Sequence, residues 1–156
     1  MKRASRSGSA HRTFLIAVLV SALAGAGGLA PAASEEQAVQ AKRVGVEGGG
    51  SYTDVSAAGL ARMLANKTFP LINVHIPYEG GIDGTDLFIA FDQVNTHLSQ
   101  LPSDKKAPIV LYCRSGHMSA IAAETLVKRG FTNVFNLDGG MVAWEKAGYP
   151  LAHRGR

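Results

Sequence analysis

The chain has a single cysteine, Cys113, and the stretch Cys113-Arg114-Ser115-Gly116-His117-Met118 follows directly on the apolar run Ile109-Val110-Leu111-Tyr112. An unbroken apolar run of this kind reads as a strand buried on both faces. Residues 119–129 have helical spacing, with Ile121, Ala122, Leu126 and Val127 on the apolar side and Gly130 as the stop. The cysteine stretch must therefore turn tightly from strand to helix, with Gly116 free to take positive φ. The backbone N–H groups of residues 114–118 are expected to converge on the sulfur. Together with the positive helix end, such donors stabilise a thiolate or the outer sulfur of a persulfide, and they can hold an incoming anion. The chemistry would be covalent catalysis by a reachable thiol at the carboxyl end of a parallel strand, where open α/β sheets collect ligands. Taken by itself, a lone cysteine is as readily an inert buried hydrophobe. One cysteine excludes an intramolecular disulfide and a zinc site built on several thiolates.

Other polar groups carry weaker signals. His117 titrates in a useful range, but a loop histidine commonly just faces solvent. Ser115 and Ser119 read as loop-shaping and helix-capping groups rather than nucleophiles. His75 and Glu79 are too few to argue for a metal. Gly139-Gly140 lacks the G-x-G-x-x-G spacing of a dinucleotide site. Trp144 and Tyr149 read as anchors packing the last helix onto the sheet.

The elements that must position Cys113 alternate in period. Residues 51–55 read as a strand, and Ser56 can cap a helix whose Leu60, Met63 and Leu64 share a face. Residues 71–75 form a strand stopped by Pro77, and a turn-rich segment through Gly80, Gly81 and Gly84 leads to Leu87-Phe88-Ile89. A weak helix is expected over residues 92–100, then the central strand 109–112, a strand over 133–137 and a helix over 141–147. Strands alternating with helices argue for an open, mainly parallel α/β sheet. Residues 34–50, ending in Gly48-Gly49-Gly50, have the composition of a flexible lead. The organisation expected is a signal segment over residues 1–32, a lead over 33–50, one domain over 51–151 and a tail over 152–156.

The signal reading comes from Lys2, Arg3, Arg6 and Arg12 ahead of an uncharged apolar run at residues 14–30, with no acid before Glu35. The run is short for a membrane span and is broken by glycines and Pro31, and Ala30-Pro31-Ala32 offers small residues for a peptidase. Cleavage is expected after Ala32, within two residues, and the domain is expected to be exported, periplasmic or secreted. Retention of the segment as an anchor is the alternative, and it is the only route to the membrane. The net charge of +4 belongs to this leader: four of the sixteen Lys and Arg precede the cut and all twelve Asp and Glu follow it, so the remainder is neutral. A neutral domain without a basic stripe gives no reason to expect nucleic acid.

Cys113-Arg114-Ser115-Gly116-His117-Met118-Ser119 resembles the active-site loop of the rhodanese family. Leu137-Asp138-Gly139-Gly140-Met141-Val142-Ala143-Trp144, with Gly148 and Pro150, resembles that family's C-terminal signature. The likeness runs from about residue 51 to 151. It implies a five-stranded, mainly parallel sheet with helices on both faces. It also implies a reaction in which a sulfane sulfur passes from a donor such as thiosulfate to Cys113, then to cyanide or a thiol, with a protein acceptor a further candidate and no cofactor. The implied site is Cys113 as the persulfide carrier and Arg114, Ser115, Gly116, His117 and Met118 as the substrate cradle. A basic residue after the cysteine resembles thiosulfate users, so Arg114 points to an anionic, sulfonate-like donor. The chain departs from the family at Asn73-Val74-His75, in place of an Asp-Val-Arg pattern, and at Gly81 and Asp83, in place of His and Pro; pocket walls and substrate preference depend on those positions.

Two rivals use the same loop differently. A cysteine phosphatase or arsenate reductase would close the loop with an arginine clamping a tetrahedral oxyanion, but Met118 and Ser119 stand at the clamp positions. A persulfide carrier or binding module serving a partner protein would have the same sequence as a free-standing enzyme.

Overall fold

The computed structural model describes residues 41–152, and the expected signal segment with its cleavage site lies outside them. In chain order the elements are β1 (Ala41–Gly45), β2 (Ser51–Val55), α1 (Ala57–Ala65), β3 (Leu71–Asn73) and β4 (Leu87–Phe88). They continue with β5 (Ile109–Tyr112), α2 (His117–Lys128), β6 (Val134–Leu137) and α3 (Gly140–Lys146). The strands form one sheet in the order β1-β2-β6-β5-β3-β4. All neighbours are parallel except β1 and β2.

The sheet therefore has six strands rather than five, and the extra one arises in the segment expected to be a flexible lead. Val44 lies opposite Tyr52, and Val46 is buried in the core. Gly48, Gly49 and Gly50 all take positive φ and turn the chain back on itself, closed by a bond from the Val46 amide to the Gly50 carbonyl at 3.1 Å. Composition alone reads a glycine run as slack, whereas here it is the hairpin turn itself.

Two other expectations change for local reasons. The strand begun at Leu71 stops at Asn73, because the Asn73 side chain accepts the His75 amide at 2.9 Å and donates to the Gly80 carbonyl at 2.9 Å. Val74 still donates to the Tyr112 carbonyl at 2.9 Å, and from His75 onward the short side chain replaces the ladder with a turn. The helix expected over residues 92–100 is instead two 3-10 turns, Val94–Thr96 and Leu98–Gln100. The Gln93 carbonyl is taken by the Thr96 hydroxyl and the His97 ring, each at 2.8 Å, and the His97 amide bonds Val94 instead. An α-helical turn cannot form across that competition.

Strand β5 is wholly buried and feeds both faces of the sheet. Ile109, Leu111 and Cys113 pack with Ala122, Ala123 and Leu126 of α2. Val110 and Tyr112 pack on the opposite face with Leu60 of α1 and with Met141 and Trp144 of α3. Helices thus cover both faces, as a parallel sheet requires. Burying side chains such as Leu60, Leu111 and Leu126 contributes roughly 1.5–3 kcal/mol each. Ser56 caps α1 by accepting the Gly59 amide at 3.1 Å. Trp144 donates its indole N–H to the Pro150 carbonyl at 3.0 Å and stacks on Tyr149, which pins the C-terminal segment.

Candidate active site

Cys113 stands where the chain leaves the core at the carboxyl end of β5. Tyr112 before it is fully buried, while Arg114 and Ser115 after it are exposed. Gly116 takes φ +89° and starts helix α2 at His117. That geometry turns the Gly116 N–H back onto Cys113 Sγ at 3.1 Å, and the Ser119 hydroxyl approaches the same sulfur at 3.4 Å. Among the described residues these are the two hydrogen-bond donors to the sulfur, fewer than the converging 114–118 amides expected. The reason is that α2 begins two residues earlier than its spacing predicted, which draws the following amides into the helix's first turn. Those amides have no intrahelical acceptor and can receive an anion.

The sulfur is also less open than expected, since Cys113 is 1 % exposed. Only the residues after it, Arg114 and Ser115, are at the surface, so the side from which the sulfur can be reached is the loop and not the strand. Ser119, read from sequence as a cap or loop-shaping group, is instead fully buried inside α2. Its hydroxyl also lies 3.1 Å from the Gly116 carbonyl, so that oxygen and the sulfur compete for its one proton.

The C-terminal motif holds this loop in shape. The Met141 amide donates to the Cys113 carbonyl at 2.9 Å and the Val142 amide to the Arg114 carbonyl at 3.0 Å. Gly140, at φ +56°, lies against the same peptide, and a Cβ there would come within 2.3 Å of the Cys113 carbonyl oxygen. A Cβ on Gly116 would meet the Gly139 amide nitrogen at 3.0 Å. The two motifs are thus one structure, with glycines where backbone meets backbone.

Of the remaining predicted cradle, His117 and Ser115 are exposed, and Met118 packs partly against the core. Arg114 does not stand free, because its guanidinium donates to Glu79 Oε2 on the loop after β3. The same carboxylate oxygen lies 3.6 Å from His75 Nε2. The His75 side chain is 8 % exposed, and neither of its ring nitrogens has a hydrogen-bond partner. Next to these groups, at the ends of β3 and β4, a cleft of about 450 Å³ is lined by Asn73, His75, Ile76, Tyr78, Phe88 and Ile89. Below it the Tyr112 hydroxyl accepts the Ile82 amide at 2.9 Å and meets Thr85 Oγ1 at 2.6 Å. The threonine's own proton goes to the Ile82 carbonyl, so the tyrosine donates between the two hydroxyls. Burial raises the Tyr112 phenol above its ordinary value of 10.0, only partly offset by the bonds to Thr85 and Ile82.

A thiol held this way can act as a nucleophile and keep a second sulfur beside a helix N-terminus. Residues 56–147 match the rhodanese-like domain. The chain belongs to the rhodanese family. A sulfurtransferase of Allochromatium vinosum is 30 % identical over 101 residues, covering 63 % of this chain and 92 % of that protein. The thiosulfate sulfurtransferase GlpE of Shewanella oneidensis is 31 % identical over 102 residues, covering 62 % of this chain and 96 % of the relative. Among solved structures, a rhodanese-related protein of Thermoplasma volcanium superposes with a TM-score of 0.54 at 27 % identity, over 63 % of this chain and 95 % of that one. The first two are sulfurtransferases by name, and the mostly parallel α/β fold is shared with the third.

Proposed function

We propose that the protein is a sulfurtransferase that carries a sulfane sulfur on Cys113, taking it from an anionic donor of the thiosulfate type and passing it to a thiol or cyanide. The observation that carries this reading is the hydrogen bonding of Cys113 Sγ by the Gly116 amide and the Ser119 hydroxyl at the head of α2. The Cys113 thiolate attacks the outer sulfur of the donor, its S–S bond breaks, and sulfite leaves with the bonding electron pair. The acceptor, as thiolate or cyanide, then attacks the outer sulfur of the persulfide and Cys113 departs as a thiolate. No step needs a metal or an organic cofactor. A protein acceptor is the second reading, favoured by the near-complete burial of Cys113, since a docked partner can hold the loop open.

Intact mass after incubation with thiosulfate tests the chemistry, with a gain of one sulfur expected on the native chain and none on Cys113→Ser. Serine is close to cysteine in size, so the variant should keep its fold, with a thermal midpoint shifted by only a few degrees for about 1 kcal/mol or less. A serine variant that still moved sulfur to cyanide, or a native protein that gained none from any sulfane donor, would sink the reading. Steady turnover with thiosulfate and cyanide separates the enzyme from a carrier that reacts only with its partner.

We further propose export, supported by the basic start and the apolar run at residues 14–30. N-terminal sequencing should find a start near Ala33, and recovery of intact Met1 on a stable product argues for the anchor instead.

A further inference from the structure

Arg114 is the cation nearest in sequence to the sulfur, yet its charge is already matched by Glu79. An anionic donor must displace that carboxylate before it can use the guanidinium. The pair is 57 % and 37 % exposed at its two side chains, and an ion pair that open to water is cheap to break. What matters is where the carboxylate goes next. Glu79 Oε2 already lies 3.6 Å from His75 Nε2, on a ring that is nine-tenths buried with neither nitrogen bonded. A small rotation of Glu79 closes that gap to the roughly 2.8 Å of a charge-assisted bond.

Resting on the sulfurtransferase reading, we infer that Glu79 and His75 determine donor specificity: Glu79 competes with the donor anion for Arg114 and, when displaced, pairs with His75, which takes up a proton. A neutral imidazole can bond the released carboxylate weakly, but an imidazolium bonds it with full charge assistance, and histidine gains its proton in the physiological range. The titratable groups shown at His75 are Glu79, with Arg114 on the far side of that carboxylate, and Tyr78, which lines the same cleft. The β4 side of the cleft offers Phe88 and Ile89, neither of them charged. Once the donor holds Arg114, the local balance turns negative through the donor and Glu79 together, and a proton on His75 offsets it. The site would therefore select anionic donors most strongly on the acid side of neutrality.

The test is thiosulfate binding to the Cys113→Ser chain, where no sulfur moves, measured by calorimetry in buffers of different ionisation enthalpy between about pH 6 and 8. Net proton uptake on binding is expected, with affinity falling as pH rises by up to about tenfold per unit. Adding His75→Gln should abolish the uptake and flatten the pH dependence. Adding Glu79→Gln, at a half-exposed position with little risk to folding, should tighten binding several-fold at pH 8 and also abolish the uptake. Absence of thiosulfate binding, absence of uptake in the parent, or uptake unchanged by both substitutions overturns the inference. Sulfur gain on Cys113 in the native chain, followed separately by mass, shows whether the sulfurtransferase reading survives such a failure.

Discussion

Replacing Gly140 by alanine should disconnect the cysteine loop from the helix that holds it. The added Cβ would stand 2.3 Å from the Cys113 carbonyl oxygen and 2.6 Å from both the carbonyl carbon and oxygen of Arg114, all of them backbone atoms that cannot rotate aside. The loop must move, and with it go the Met141 bond to Cys113 at 2.9 Å and the Val142 bond to Arg114 at 3.0 Å. Two such bonds contribute about 0.5–1.5 kcal/mol each, and alanine at φ +56° adds roughly 1–2 kcal/mol of backbone strain. A loss of about 2–5 kcal/mol is expected. Gly148→Ala is the control, because Gly148 also has positive φ, at +86°, but open space where the Cβ would go; it carries the strain without the collision. Urea unfolding of both variants isolates the collision, and intact mass after thiosulfate treatment reports whether the displaced loop still loads sulfur. A Gly140 variant within about 0.5 kcal/mol of the Gly148 variant, loading sulfur at the native rate, would refute the claim that the C-terminal motif shapes the cysteine loop.

Ser119→Ala removes one of the two donors to the sulfur, and a bond of about 0.5–1.5 kcal/mol corresponds to a roughly two- to tenfold slower sulfur gain in single-turnover mass measurements; an unchanged rate means the hydroxyl stays on the Gly116 carbonyl throughout. Tyr112→Phe leaves the Ile82 amide without its acceptor and should cost about 1–3 kcal/mol in urea unfolding at neutral pH. The Tyr112 phenol is raised in the folded state, so its contribution is whole below the unfolded value of 10.0 and is lost as pH climbs through the folded one. The native chain should therefore lose stability above pH 10 more steeply than the phenylalanine variant, with Tyr52, also raised by burial, sustaining part of the loss in both. Parallel alkaline profiles would show that Tyr112 ionises freely.

The parts of the fold legible in the sequence were those where one face or one run decides. Residues 109–112 announced a strand buried on both sides, and the two glycine-bearing motifs marked the turns beside it. What escaped depends on partners distant in sequence. Nothing local distinguishes Gly48-Gly49-Gly50 as a hairpin turn from the same glycines as a linker, because the distinction lies in Val44 facing Tyr52 and Val46 reaching the core. Ser119 was visible as a polar residue at the start of a helical pattern, but its approach to Cys113 follows from a helix beginning at His117, and helix starts are poorly marked where glycine rather than serine precedes them. The pairing of Arg114 with Glu79 joins loops 35 positions apart, and a charge pattern read along the chain cannot show it.

The arrangement around the sulfur is electrostatic in a specific way. A peptide presents a positive amide edge and a negative carbonyl edge, so a loop wrapped around a thiolate stabilises it only if its carbonyls point elsewhere. Here the carbonyls of Cys113 and Arg114, the two nearest the sulfur in sequence, are drawn away by the first amides of α3, while the Gly116 amide and the head of α2 face Sγ. One helix start thus removes negative dipoles from the site while another supplies positive ones. Because Cys113 is 1 % exposed, water does little to screen either effect, and two donors act with more force than they would at an open surface. The same burial makes the anionic sulfur costly if any donor is lost. On the proposed sulfurtransferase reading, a donor reaches the sulfur only with the loop displaced, and the two bonds from α3 define the position in which the loop covers it.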